Sequence, residues 1–250
     1  MCIRDSIWTD GGNDTVIDLD GDNDISTGSG DDSVTTGDGD DRIATWFGND
    51  TIVVSGGHNR VEAGWGDDSV TLGSGDDRVD LGPGNDIAWL GAGDDRAEGD
   101  YGDDTIFGEA GNDRINGGQG NDLIVAGDGD DRIDGDRGLD VLFGGFGADR
   151  IAGGHDDDLL IAGGTAYDND LPALQRVFAE WTSDHNYLAK VANLREGTGD
   201  HLGGVQLTTI VYDDASEDKL DGDGGRDWFF ASLEDELKRK RNNELLDLLE

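Results

Sequence analysis

From Asp14 to Asp158 an aspartate or asparagine recurs at every ninth position, seventeen times without a slip of register. A fixed short period constrains a chain more than its composition does, because each repeat is one structural unit that can bury its apolar side only against copies of itself. Fifteen of these anchors are Asp: Asp14, Asp32, Asp41, Asp50, Asp68, Asp77, Asp86, Asp95, Asp104, Asp113, Asp122, Asp131, Asp140, Asp149 and Asp158. Asn23 and Asn59 are the exceptions. Two residues before the anchor stands Gly in sixteen of seventeen repeats, from Gly12 to Gly147, with Asp156 the departure. Two residues after it stands an aliphatic side chain or Ala every time, as at Val16, Ile25, Val34, Ile43, Ile106, Ile115 and Leu160.

Each position has a physical meaning. Gly reaches positive φ without penalty, so a tight loop can turn its carbonyl oxygens inward, and the Asp adds a carboxylate. Hard oxygen donors in that number suit Ca²⁺ at about 2.3 to 2.6 Å, whereas Mg²⁺ demands a stricter octahedron and gives up water reluctantly. The apolar residue points into the fold because side chains alternate faces along a strand, and the spacing predicts that this ladder, one residue wide, is the whole core. A second period of eighteen is carried by Arg42, Arg60, Arg78, Arg96, Arg114, Arg132 and Arg150, so two repeats make one turn. With Glu62, Asp80, Glu98 and Asp134 two places on, they predict an outer face that is a solvated ladder of opposite charges.

The other outer face changes along the chain, from Thr15, Ser33, Thr51 and Ser69 to Ile87 with Trp89, Thr105 with Phe107, Leu123 with Val125, and Val141 with Phe143. An apolar strip of this kind marks a contact. The candidates are the chain's own C-terminal segment, or a separate protein or a glycan on Trp89, Phe107 and Phe143. An ice-binding Thr/Ser ladder is interrupted by Trp89 and Phe107.

A formal charge of −40, with 43 Gly and 34% hydrophobic residues, would by itself leave a chain disordered, since too little apolar area offsets the backbone entropy lost on ordering. Such acidity excludes nucleic acid and anionic membrane surfaces as partners. It calls instead for multivalent cations: about fifteen divalent ions, one for each acidic anchor, would add roughly +30. Cys2 is the only cysteine, so neither an internal disulfide nor a cysteine zinc site is expected. No apolar run is long enough for a membrane span, and the N-terminus lacks the basic-then-apolar pattern of a signal peptide. Residues 1–6, MCIRDS, read as the translation of a sequencing-library adapter from environmental DNA; they are set aside, and the natural chain is expected to continue upstream.

The run Gly117-Gly118-Gln119-Gly120-Asn121-Asp122-Leu123-Ile124-Val125 carries the nonapeptide G-G-x-G-x-D-x-U-x almost whole. Over roughly residues 10–164 the chain resembles the RTX, or haemolysin-type, calcium-binding repeat family. The resemblance implies an all-β fold, a right-handed parallel β-roll of eighteen residues per turn spanning residues 7–164. It also implies multiple Ca²⁺ ions, an extracellular location and export by type I secretion machinery. The motif's first Gly is replaced early by Thr27, Thr36, Leu72 or Leu81 and becomes regular only from Gly99, so the early loops are expected to be less ideal.

A C-terminal α+β capping module is expected over 165–230. Leu174, Val177, Phe178, Trp181, Leu188, Val191 and Leu194 fall at helical spacing between Leu171 and Leu194, and Gly197 and Gly199 end that helix or helix pair. Val205 to Tyr212 reads as a strand. Asp218-Lys219-Leu220 and, nine residues later, Asp227-Trp228-Phe229 revive the repeat, so the roll resumes for one turn and Asp218 and Asp227 join the candidate metal ligands. A solenoid end needs a cap, and Trp181, Trp228, Phe229 and Phe230 offer bulky cover. Ser232 with Asp235 resembles a capping box that opens a final helix over 231–250. Its basic centre, Lys238-Arg239-Lys240-Arg241, is either a solvated surface beside the acidic roll or, given the family resemblance, an uncleaved secretion signal.

Catalysis is not expected. His58, His155, His185 and His201 lie far apart and none stands in H-E-x-x-H; no Ser stands in G-x-S-x-G; and register commits the anchored carboxylates to calcium. The leading expectation is a secreted module that folds on reaching extracellular Ca²⁺. An adhesion or matrix protein, or the appendage of a truncated extracellular enzyme, are the alternatives.

Overall fold

A computed structural model describes residues 4–198, 202, 205–207, 211–212, 216–231, 236–238 and 245–248. Most strands begin one residue after an anchor, and alternate strands fall into alternate sheets. The first parallel sheet runs from Arg4–Trp8 through Arg42–Phe47 and Arg114–Gln119 to Lys219–Asp221 and Glu236–Lys238; the second runs from Thr15–Asp18 through Leu123–Asp128 to Trp228–Ala231 and Leu245–Leu248. Neighbouring strands pair residue i with i+18, as Ile43 with Val61 and Ile106 with Ile124. Two repeats therefore complete one turn of a β-solenoid, as the arginine period predicts.

The core lies between the sheets. The ladder from Val16 and Ile25 to Leu160, Leu220 and Phe229 is buried throughout. It is not the whole core, and the expectation of a single ladder is corrected. Val54, Ala63, Leu72, Leu81, Leu90, Ala126 and Ala162 form a second inward row four residues after each anchor. Both rows face inward because they stand two residues apart on one strand. Where this second position is Gly, the next anchor's carboxylate lies against it: a Cβ on Gly117 would sit 2.3 Å from Oδ2 of Asp122.

On the first sheet's outer face the arginines are exposed, and Arg60 pairs with Glu62 at 2.7 Å and Arg78 with Glu98 at 3.5 Å. The second sheet's outer face is covered only toward the C-terminal end, from Leu123 to Phe230, while Thr15, Ile17, Thr51 and Val53 stay exposed. Residues 165–212 are inserted between two successive turns, so that Ile151 pairs with Leu220 and Leu160 with Phe229. The insert holds helices α1 (Leu171–Trp181) and α2 (Tyr187–Glu196). Asp170 caps α1 by accepting from the Ala173 amide, and Gly197 ends α2 in the left-handed conformation at φ 65°. Leu174, Val177, Trp181, Val191 and Leu194 pack on Leu123, Val125, Val141 and Phe143 in one buried cluster. Leu188, expected in that set, faces solvent instead. Fully buried Glu180 joins the helices, accepting from Asn193 Nδ2 at 2.8 Å and lying 2.8 Å from His185 Nδ1.

Two further expectations change. Of Val205–Tyr212 only Val211–Tyr212 is described as strand, antiparallel to Gly164–Thr165, while Val205 and Leu207 are buried in irregular chain. Where the final helix was expected, the described residues form two strands, Glu236–Lys238 on Lys219–Asp221 and Leu245–Leu248 on Trp228–Ala231. The reason is spacing: Leu237 and Leu246 are nine apart and pair with Leu220 and Phe229, so another turn covers strand edges that would otherwise stay open. Gly199, His201, Ser232, Asp235 and Arg239–Arg241 lie outside the described residues. Among the described residues no helix is long and apolar enough to cross a membrane.

Candidate metal centres

Each anchor except Asn23, which lies within the strand Asp22–Ser26, sits in the loop that leads into its strand, and the loops of one sheet stack turn on turn. The stacking is tight: Gly138 has φ +138°, and a Cβ there would stand 1.6 Å from the Gly120 carbonyl oxygen. Within a stack the backbone N–H of one anchor donates to Oδ1 of the anchor eighteen residues on. Examples are Asp50 to Asp68 at 2.7 Å, Asp86 to Asp104 at 2.8 Å and Asp122 to Asp140 at 2.8 Å. The ladder crosses the insert, from Asp149 to Asp218 at 2.7 Å and from Asp158 to Asp227 at 3.0 Å. Register thus fixes one side-chain oxygen of each anchor from Asp32 onward.

The second oxygen has no such partner. At Asp32, Asp68, Asp77, Asp86, Asp95, Asp104, Asp113, Asp122, Asp131, Asp140 and Asp158, Oδ2 is buried without a hydrogen-bond donor. A buried, unsatisfied carboxylate oxygen is costly, and here the cost recurs rung after rung at the strand spacing of about 4.8 Å. Burial is the main cause pushing the carboxyl of Asp104 from 3.8 to about 8, with Asp122 and Asp86 adding repulsion. Burial likewise takes Asp113 and Asp140 to about 8 and Asp68 to about 7. These columns need positive charge.

Asn59 reveals what the second anchor atom faces. Its Oδ1 keeps the ladder by accepting from the Asp41 amide at 2.9 Å. Its Nδ2, which stands where an aspartate carries Oδ2, donates to the carbonyls of Gly56 and Gly57 at 3.2 and 3.0 Å and to Asp77 Oδ1 at 2.9 Å. The loop therefore gathers carbonyl oxygens of its own turn and a carboxylate oxygen of the next around that point. Among the described residues no three acidic, histidine or cysteine side chains converge on one point, so the donor set is carbonyl-rich. Uncharged carbonyls supplemented by carboxylates, with no soft ligand, fit Ca²⁺.

The structure thus brings the candidate ligands into two stacks, Asp14 to Asp227 on the second sheet and Asp41 to Asp218 on the first. Asp14, at the N-terminal end, is only partly buried. Sequence reasoning missed a second, outer ladder formed by the residue before each anchor. The amide of Asp67 donates to Asn49 Oδ1, that of Asn85 to Asp67 Oδ1 and that of Asp103 to Asn85 Oδ1, at 2.9 to 3.0 Å. These bonds run opposite to the inner ones, so each pair of turns is tied in both directions. The alternation of Asn and Asp before the second-sheet anchors, from Asn13 and Asp31 to Asp103 and Asn121, was the available signal.

The apolar outer strip is largely consumed by the chain itself. Phe143 is fully buried beneath the helices, which removes it as a contact for an outside partner. Trp89 and Phe107 stack at 5.7 Å on the rim of a cleft of about 470 Å³ that also includes Glu109, Asp128, Phe146 and Leu171.

Two parallel sheets joined by stacked loops that concentrate carboxylate and carbonyl oxygens define a metal-binding β-solenoid. The family model for the RTX calcium-binding nonapeptide repeat matches residues 4–17, 17–52, 45–79, 53–88, 89–124, 110–142, 134–166 and 208–234, and the chain belongs to that family. It is a calcium-binding β-roll that takes multiple calcium ions. Among curated proteins none matches. A solved structure similar to this chain is a hyperactive, Ca²⁺-dependent, β-helical antifreeze protein from an Antarctic bacterium. It shares 15% identity over 92% of this chain and 84% of its own, at a TM-score of 0.26, a superposition too loose to bear on fold or function.

Proposed function

We propose that this chain is a secreted module whose β-roll folds when it meets extracellular Ca²⁺, with the anchor aspartates from Asp14 to Asp158, Asp218 and Asp227 as its side-chain ligands. The observation that carries this reading is the buried Oδ2 without a donor, repeated at every anchor from Asp68 to Asp140. A column of ionised carboxylates cannot be buried alone, so the fold is conditional on a cation. Extracellular calcium modules bind at about 10⁻⁴ to 10⁻³ M, which keeps such a chain unfolded in a low-calcium cytoplasm and folds it outside. Export through type I machinery, with the C-terminal stretch as signal, completes the reading, and the chain has no chemistry of its own. Far-UV circular dichroism of the purified chain should pass from coil in chelator to β-structure in millimolar calcium. β-structure that persists in chelator at pH 8 overturns it.

The cleft beside Trp89 and Phe107 supports a second reading as an adhesion protein, since stacked aromatics flanked by Glu109 and Asp128 suit a neutral glycan. Trp89→Ala should then abolish retention on immobilised neutral polysaccharide and leave calcium-induced dichroism intact; unchanged retention contradicts it.

A further inference from the structure

Asn59 departs from the repeat at the very position where a metal ligand is expected, and it differs from the aspartates in one decisive respect. Both of its side-chain polar atoms are satisfied. Oδ1 accepts from the Asp41 amide, and the two hydrogens of Nδ2 are shared among the Gly56 carbonyl, the Gly57 carbonyl and Asp77 Oδ1. The surroundings fix the amide's orientation. Turned over, it would aim Oδ1 at three acceptors and Nδ2 at the Asp41 N–H, leaving every contact mismatched. An N–H₂ group so placed does locally what a cation does elsewhere, supplying partial positive charge to a ring of oxygens at the centre of a buried loop.

We propose that the rung between Asn59 and Asp77 is closed without calcium, the Asn59 amide nitrogen standing in for the ion. The inference rests on the calcium reading of the other rungs and concerns this one rung alone. Asparagine as such is not sufficient. Asn23, near the N-terminal end of the same stack, reaches only the Gly21 carbonyl, at 3.4 Å, and its buried Oδ1 has no donor. What makes Asn59 different is the full set of three acceptors within 3.2 Å. The consequence is a roll whose first-sheet calcium column is interrupted, with a metal-independent joint between the turns that carry Asp41 and Asp77. Asn59→Asp restores the repeat: Oδ1 keeps the Asp41 bond and Oδ2 takes the place of the donor, so the variant needs a cation where the natural chain needs none.

The test is a count of calcium ions on the natural chain and on Asn59→Asp by native mass spectrometry in calcium. One ion more on the variant is expected, and equal counts overturn the proposal. A natural chain that carries no calcium sinks the calcium reading itself, a different outcome from equal non-zero counts. A second measurement needs no variant to fold. In the calcium-loaded natural chain the Asn59 side-chain N–H₂ protons should exchange with solvent at least tenfold more slowly than those of exposed Asn49. Exchange at the Asn49 rate would show that the amide is not locked on the loop and would refute the assignment.

Discussion

Asp104 offers the sharpest dissection of an anchor. It is fully buried, its Oδ1 accepts from the Asp86 amide at 2.8 Å, and its Oδ2 has no donor. Burial, with repulsion from Asp122 and Asp86, lifts its carboxyl from 3.8 to about 8. Keeping it ionised in a calcium-free roll above pH 8 therefore costs on the order of 6 kcal/mol. Two or three such groups outweigh the roughly 5 to 15 kcal/mol of a typical domain, so the bound ion must offset them. Asp104→Asn preserves the amide acceptor, as Asn59 does for Asp41, and removes the charged ligand. Asp104→Ala removes both. At saturation each bound calcium raises stability by about 1.4 kcal/mol per decade of free calcium. Urea unfolding across a series of calcium concentrations should then give both variants a slope against log calcium that is shallower by about that amount per ion lost. The Ala line should also lie about 1 to 3 kcal/mol below the Asn line at every calcium level, because the Asp86 amide loses its acceptor. Three parallel lines would refute the assignment of Asp104 as a ligand, and coincident Asn and Ala lines would refute the ladder.

Acid should partly substitute for calcium. The folded-state carboxyls are raised, to about 8 at Asp113 and Asp140 and about 7 at Asp68. Their contribution is present below the unfolded value and is lost as pH rises through 7 to 8. In chelator, dichroism should show β-structure increasing from about pH 8 towards pH 5; a fall over that range contradicts the cause given. Gly138→Ala forces a side chain into φ +138° and against the Gly120 oxygen, so calcium-loaded stability should drop by about 3 kcal/mol or more in urea unfolding. Trp181 is fully buried and donates to the Asp157 carbonyl at 2.9 Å. Trp181→Ala should cost about 3 to 5 kcal/mol and open residues 165–212 to proteolysis while the roll's calcium response survives.

Much of this was legible in the sequence because the repeat is its own ruler. The nine-residue anchor, the eighteen-residue arginine period and the alternation rule together place both sheets, the inward ladder and the charged outer face. The apolar drift from Thr15 to Phe143 also pointed to cover by the chain's own C-terminal segment. What escaped lies where local signals are ambiguous. Ser232 and Asp235 read as a helix start, yet the nine-residue spacing of Leu237 and Leu246 and the open strand edges favoured another turn of roll. Leu188 matches helical spacing, but α2 turns it to solvent. The second inward row at Val54, Leu72 and Leu81 was visible only as a defect in the glycine motif, although there those side chains fill space that the early loops leave. Neither the side-chain bonds of Asn59 nor the outer Asn/Asp ladder could be drawn without stacking one turn on the next.

The calcium account stands or falls most directly on the ion count. The purified chain, dialysed against millimolar calcium and then analysed for bound metal, should hold on the order of ten to fifteen calcium ions, and the ions should leave together with the β-structure when chelator is added. One or two ions per chain, or β-structure that outlasts their removal at pH 8, would contradict it.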